Sequence, residues 1–442
     1  MKPKSILCLC FFIASAAWAQ NRTGVTLDIN AAVAMALENN LSLRRAEMDT
    51  DAARRRQGRS WNSLIPSLGA GALLSHTAPI GTQLGQHPVG WTPGFTLSAS
   101  LNLTPAIFAN ITQTKREYEA GLINYAAARQ ELEYQVRRLF YQILLLRANA
   151  ELADHNIESA RSRHEQTLAL QRAGRASAIE EIAARLDVSI QQTTAQNTWA
   201  VYQTTIDNLK YFLMIPMEES VSLDGDLLSY IMTDPNTAAV PGQESMQISL
   251  LRQSIIVIEA QRRNAHLRSY APVLTFSWGS TPLYIGDISG VPPPASTIND
   301  WRDTGGQFSI MLSLKPDNFL PWSPAKEQID TLSDAAAKQR NLLTEASINH
   351  QNTVQKLLRD MGRSQEIIET LRLNITLAEE TLSMQENAYS QGAVELQTLI
   401  STRDNLWAAQ NRLLSEQLNL LSVVLELEKE LNIPFGSIAR QD

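Results

Sequence analysis

The chain has 442 residues but only two cysteines, Cys8 and Cys10, both near its start. They fall in MKPKSILCLCFFIASAAWAQ, where Lys2 and Lys4 precede an apolar run from Ile6 to Ala14 and Ala17-Trp18-Ala19 offers a small-x-small cleavage site. That is the pattern of a secretory signal peptide over residues 1–19. A lipid anchor on Cys10 would want a small residue before it, and Leu9 stands there. The mature chain is therefore expected to lack cysteine, which excludes disulfides, thiol catalysis and cysteine metal sites. No later stretch has 18 or more consecutive apolar residues, which excludes a transmembrane helix. Basic charge is also short: without Lys2 and Lys4, 36 basic residues (38 − 2) face 45 acidic ones, a net −9 that argues against a nucleic-acid partner. No nucleophile, base and acid group together. His76 and His87 read as loop residues, and Asp154/His155 and His164/Glu165 as a solvated helix face, so no enzyme, cofactor or metal is expected.

Aromatics make up 6% and glycines number 20, which makes each glycine inside a helical pattern conspicuous. Two such glycines sit in similar surroundings. LQRAGRASAIEEIAARLDV surrounds Gly174, and AYSQGAVEL surrounds Gly392, a shift of 392 − 174 = 218. At that shift Arg185 falls on Arg403, Leu213 on Leu431, and Ile215-Pro216 on Ile433-Pro434. The earlier parts correspond with small indels, Pro66 to Pro272, Pro105 to Pro316 and Phe108 to Phe319. Repeats sought in this way imply an internal tandem duplication. The first repeat covers 20–216, a linker 217–243, the second repeat 244–434 and a C-terminal tail 435–442.

Each repeat reads as helix, hairpin, very long helix, glycine turn, long helix. The first helix begins at TLDINAAVAMALENN with Asp28 as its cap and is expected to run toward Pro66. Pro105 to Ala173 contains no further proline and only Gly121 as a breaker, and Ser323 to Gln391 is similar. At 1.5 Å per residue each would be about 100 Å long. Ile368, Leu371, Ile375, Ala378, Leu382, Gln385 and Tyr389 step three and four apart, a heptad seam that resumes at Leu399. Its polar members Arg403, Gln410 and Gln417 suggest that one side faces water.

The segments between the helices alternate with period two. Phe95, Leu97, Ala99, Leu101 and Leu103 interleave with small and polar residues, as do Phe308, Ile310, Leu312 and Leu314. Their hairpin partners, SLGAGALLSH and VLTFSWGS, alternate less cleanly, and the hairpins span about 67–104 and 272–315. Ten-residue segments of this kind mark outer-membrane barrel strands, although a soluble sheet edge gives the same alternation. Four strands cannot close around a pore, and an open edge in lipid leaves backbone groups unpaired. Three copies would supply twelve strands. The hairpin loops, Thr77–Thr92 and Pro282–Gly305, would face outward with Trp91, Trp301 and Tyr284 at the membrane interface.

With these motifs in hand, the sequence resembles the TolC-like outer-membrane efflux protein family. The matching residues are TLDINAAVAMALENN, LIPSL, LSASLNLTPAIF and the two glycine repeats ending in Ile-Pro. The resemblance implies an α+β membrane protein, a long α-helical periplasmic barrel continuous with a trimeric 12-stranded β-barrel. It implies a passive exit duct in the cell outer membrane for an efflux or type I secretion pump. The implied partners are two further copies, a periplasmic adaptor and an inner-membrane pump. Residues 217–243 and the tail would form a belt around the tube. Gly174 and Gly392 would be the periplasmic tips, with Ala173, Arg175, Gln391 and Ala393 docking the adaptor. Glu180 and Tyr389 match a latch that holds the entrance closed. The positions where some relatives carry an acidic ring are Thr398 and Ser401, and a basic latch residue is replaced by Val394. Glu181, Glu395 or Asp404 are the acids near enough to compensate. The alternative, a secreted coiled-coil structural or adhesin protein without a pore, accounts for the heptads but not for the strands.

Overall fold

The computed structural model describes residues 25–77, 90–227, 230–232, 244–284, 301–302, 305–391 and 393–441. The expected signal peptide, most of both hairpin loops, part of the linker and Gly392 lie outside the described residues. The chain divides into two compact units, one of residues 1–45, 126–246 and 348–442, the other of 46–125 and 247–347.

Two helices are each 67 residues long: α3 (Ala106–Arg172) and α6 (Pro324–Ser390). A proline stands at each start, Pro105 just before α3 and Pro324 as the first residue of α6, and neither interior contains another. The other helices are α1 (Ile29–Asn39), α2 (Leu41–Gly58), α4 (Ala178–Leu213), α5 (Met246–Tyr270) and α7 (Leu396–Glu430). Asp28 caps α1 as expected, its side chain accepting the Ala31 N–H at 2.7 Å. The expected single helix from Asp28 toward Pro66 is broken at Asn40. Its backbone N–H closes α1 on Ala36 C=O, and its side chain accepts the Ser42 N–H at 2.9 Å at the start of α2, competing with the backbone as asparagine does.

In the first unit α3, α4, α6 and α7 bury Phe140, Ile143, Leu144, Leu209, Leu213 and Leu421. β1 (Val25–Leu27) pairs in parallel with β4 (Val221–Leu223), and β5 (Tyr230–Met232) pairs antiparallel with β10 (Ala439–Gln441). The linker therefore contributes two strands to this unit and the tail one. Glu428, wholly buried in α7, accepts the N–H groups of Gly436 at 3.0 Å and Ile438 at 2.7 Å, which holds the tail in place.

The two halves of the chain share backbone detail at a shift of 218 residues. Arg175 N–H donates to Leu170 C=O at 2.8 Å, and 218 residues on Ala393 N–H donates to Ala388 C=O at 2.9 Å. Ile215 donates to Lys210 at 2.9 Å, and Ile433 to Glu428 at 3.0 Å. Met214 and Asn432, the residues closing α4 and α7, share a left-handed backbone with φ 56° and 52°.

The second unit is built on one sheet: β2 (Ser67–Thr77), β3 (Gly90–Leu103), β6 (Val273–Ser280) and β9 (Gln307–Ser313), with the two-residue strands β7 (Leu283–Tyr284) and β8 (Trp301–Arg302) beside it. The two hairpins join through an antiparallel β3–β6 pairing that puts Ala99 opposite Trp278 and Leu101 opposite Phe276. Tyr284, expected at the membrane interface, is instead buried, on the short strand β7 that pairs with β8.

Candidate functional site

Two places carry functional geometry, the faces of the sheet and the turns at Gly174 and Gly392. In the sheet, directly opposed residues share a face. Register places Ala70 against Leu97, Leu97 against Ser280, Phe276 against Ile310 and Leu274 against Leu312. One face is therefore apolar across all four main strands, and it is bare: Leu68 is 83% exposed, Phe308 62% and Leu312 71%. The opposite face, Leu73, Val273 and Met311 apart, is small or polar and satisfies itself across strands. Ser67 and Ser100 hydroxyls meet at 2.8 Å, Thr275 donates to Asn102 at 2.8 Å, and Ser277 and Ser309 meet at 2.7 Å. Among the described residues β2 pairs only with β3 and β9 only with β6, so both outer edges offer open backbone groups. No described helix is long and apolar enough to cross a membrane.

At the first turn Gly174 has φ +70°, and Gly174 N–H donates to Gln171 C=O at 2.9 Å. With the Arg175–Leu170 bond this is a Schellman turn, whose left-handed position favours glycine. α4 then begins with a capping box. Ser177 accepts the Glu180 N–H at 3.2 Å, and Glu180 accepts the Ser177 N–H at 2.6 Å. Ala173, Gly174 and Arg175 are all exposed, as are Gln391 and Ala393 on either side of the undescribed Gly392.

Glu180 and Tyr389, the two expected latch residues, have separate partners. Glu180 is committed to its own helix cap, and the Tyr389 hydroxyl meets Thr167 at 2.9 Å, with Thr167 fully buried. Tyr389 packs with Ala184, Leu396 and Leu399 in a small apolar cluster. Thr398 and Ser401 are exposed, and the Ser401 hydroxyl donates back to Thr398 C=O at 2.8 Å. Of the three nearby acids, Glu181 meets His164 Nε2 at 3.0 Å and Asp404 accepts from Arg403 at 2.8 Å. Glu395 sits at the α7 N-cap position without a side-chain bond to the helix.

Arg403 and Gln417, expected to face water, are both buried. For Arg403 the reason is a charge cluster that joins three helices. Asp187 of α4 accepts from Arg403 of α7 at 3.0 and 3.2 Å and from Arg163 of α3 at 3.1 Å. Burial pushes the Asp187 carboxyl above the usual carboxylate value, while the Gln191 amide, donating at 3.1 Å, pulls it back. Arg163, Thr167 and Asp187 were not singled out in the sequence. The available signal was Arg403 itself, since a charge at a seam position needs a buried counter-charge.

Residues 32–209 match the family model described as outer membrane efflux protein. No curated protein matches the sequence. Among solved structures, the chain is similar to the outer membrane protein VceC of Vibrio cholerae, with TM-score 0.75, 15% identity and coverage of 92% of this chain and 96% of that one. It is similar to the Campylobacter jejuni CmeC outer membrane channel, with TM-score 0.74, 13% identity and coverage of 94% and 87%. It is also similar to the open state of the Neisseria gonorrhoeae MtrE outer membrane channel, with TM-score 0.71, 17% identity and coverage of 92% and 89%.

Proposed function

For a chain that carries an outer membrane efflux protein domain over residues 32–209 and the fold of TolC-like outer-membrane channels, we propose the role of a trimeric channel-tunnel, the passive exit duct of a tripartite efflux or type I secretion system. The observation that carries this reading is the four-stranded sheet. Its bare apolar face suits lipid, its hydroxyl-lined face suits a wet lumen, and its open edges suit pairing with further copies. Three protomers would close twelve strands. A secreted coiled-coil protein without a pore would have no use for such a face, which in water is a large aggregation hazard.

The duct performs no chemistry. Cargo handed over by an inner-membrane pump through a periplasmic adaptor passes down a polar lumen once the helical turns at Gly174 and Gly392 move apart. Ala173, Gly174, Arg175, Gln391, Gly392 and Ala393 are the proposed adaptor contacts. The entrance is held by the Tyr389–Thr167 bond and the Asp187 cluster, with Glu180 supporting the turn as a cap and Thr398 and Ser401 exposed nearby. The two halves arose by tandem duplication, in keeping with the backbone bonds repeated at 218 residues.

Reconstitution in planar bilayers tests the reading. The protein should insert as a trimer and conduct weakly until the turns are loosened. A folded, detergent-extracted protein that never forms pores in lipid, even with Tyr389→Phe and Asp187→Asn combined, sinks it.

A further inference from the structure

The two helices that lead into β2 and β6 carry the same basic arrangement. Arg55, Arg56 and Arg59 stand at i, i+1 and i+4, and so do Arg262, Arg263 and His266. Such positions lie within about 100° of one helix circumference. Arg59 keeps this spacing although α2 ends at Gly58, because its N–H still donates to Arg55 C=O at 3.1 Å. Arg59 lies 67 − 59 = 8 residues before β2, and His266 lies 273 − 266 = 7 residues before β6.

None of these five guanidiniums has a hydrogen-bonding or ionic partner among the described residues. The second triplet lines a groove of about 760 Å³ between α3, α5 and α6, whose other charges are already matched. Arg116 pairs with Glu119 at 2.7 Å, Asp330 with Lys326 at 2.7 Å, and Glu259 with Arg340. The unmatched charge in the groove is therefore positive, from Arg262 and Arg263.

Exposed aromatic side chains collect at the same strand ends. Trp61 lies between α2 and β2, Phe108 follows β3, and Phe319 and Trp322 follow β9. Phe319 lies 5.0 Å from Tyr270, which in turn lies 4.8 Å from His266. Aromatic rings with a polar or charged neighbour mark the headgroup level of a membrane. Free guanidinium forks beside them match phosphate oxygens in geometry and charge.

We propose that the two triplets bind the phosphate groups of anionic phospholipids, in the leaflet on the helical side of the sheet. The assignment rests on the membrane-spanning reading of that sheet. Phospholipid is the occupant because the triplets end eight and seven residues before the strands β2 and β6 that carry the bare apolar face, where acyl chains would lie. Native mass spectrometry of the detergent-extracted protein, loaded with phosphatidylglycerol or phosphatidylcholine, tests it. Wild type should retain phosphatidylglycerol at least tenfold more than phosphatidylcholine. The combined Arg55→Gln, Arg56→Gln, Arg262→Gln and Arg263→Gln variant should lose that preference, and either pair alone should lose about half of the retained lipid. Because each pair sits on a separate helix, the two half-variants keep the test usable if the combined one folds poorly.

Equal retention of the two lipids by wild type overturns the proposal, as does unchanged retention in the variants. Competition by millimolar glycerol phosphate as strong as by the lipid would make the ligand a soluble anion and overturn the lipid assignment. A changed anion-to-cation permeability in bilayers, with lipid retention intact, would place the arginines in the lumen and also overturn it. Failure of wild type to form any pore counts against the channel reading itself. Pores without lipid preference count only against this inference.

Discussion

Replacing Asp187 by asparagine keeps the shape of the side chain and removes one charge from the cluster between α3, α4 and α7. Arg163 is 7% exposed and Arg403 is 4% exposed, so both guanidiniums would stay buried while losing their shared counter-ion. Arg403 would lose two charge-assisted bonds, at 3.0 and 3.2 Å, and Arg163 one at 3.1 Å. Breaking a buried pair by removing one partner costs about 3–5 kcal/mol, mostly because the remaining charge is left unsolvated. Asp404 relieves part of this, since it also accepts from Arg403 at 2.8 Å but is half exposed. That places the expected loss near the lower end, about 3 kcal/mol, or roughly a hundredfold in the local closed-to-open equilibrium. The exposed pair Glu369–Arg372 in the same unit is the control, where Glu369→Gln should cost less than about 1 kcal/mol. Hydrogen exchange of the amides in 160–190 and 396–410, together with single-channel conductance, reads the outcome. Asp187→Asn should speed exchange in both segments and raise the open probability, and Glu369→Gln should do neither. If Asp187→Asn leaves exchange and conductance at wild-type values, the cluster does not hold the helices together and the argument fails.

Tyr389→Phe removes the bond to Thr167 and strands a fully buried hydroxyl, which should lower stability by about 1–3 kcal/mol in denaturant titration. Adding Thr167→Val should restore most of that loss, because both polar partners are then gone. Burial raises the Glu428 carboxyl above its ordinary value, partly offset by the N–H groups of Ile438 and Gly436. The folded chain thus holds that proton more tightly than the unfolded one, so the stabilisation is complete below the unfolded value and fades as pH rises through the folded one. Melting temperatures across that window should fall with rising pH, and Glu428→Gln should flatten the slope. Leu312→Arg on the bare sheet face should cost about 2–4 kcal/mol of stability in lipid if the residue sits near the bilayer midplane. Ser309→Arg on the opposite face should leave folding intact and change conductance, and equal effects of the two would reject the assignment of the faces.

Local patterns made much of the fold legible before any coordinates. Proline placement bounds the long helices, since α3 and α6 start at Ala106 and Pro324, close to the expected Pro105 and Ser323. Heptad spacing identifies Ile368, Leu371, Ile375, Ala378, Leu382, Gln385 and Tyr389, and those residues are buried or half-buried while nearly all others on that stretch are exposed. Period-two alternation locates the four main strands. These features depend on neighbours a few residues apart, so sequence order carries them.

The candidate site was less legible because its partners are distant in the chain. The glycine at 174 could be read as a turn from its own backbone freedom. The latch could not be read in the same way. Which group meets Tyr389 depends on how α3 rotates against α6, and in the structure it is Thr167, 222 residues away. Arg403 likewise read as a wet position until Asp187 and Arg163, 216 and 240 residues earlier in the chain, were brought against it. Element type and period follow from short-range sterics and burial, whereas the pairing of buried charges is settled only when three separate helices pack and each charge must find a partner away from water.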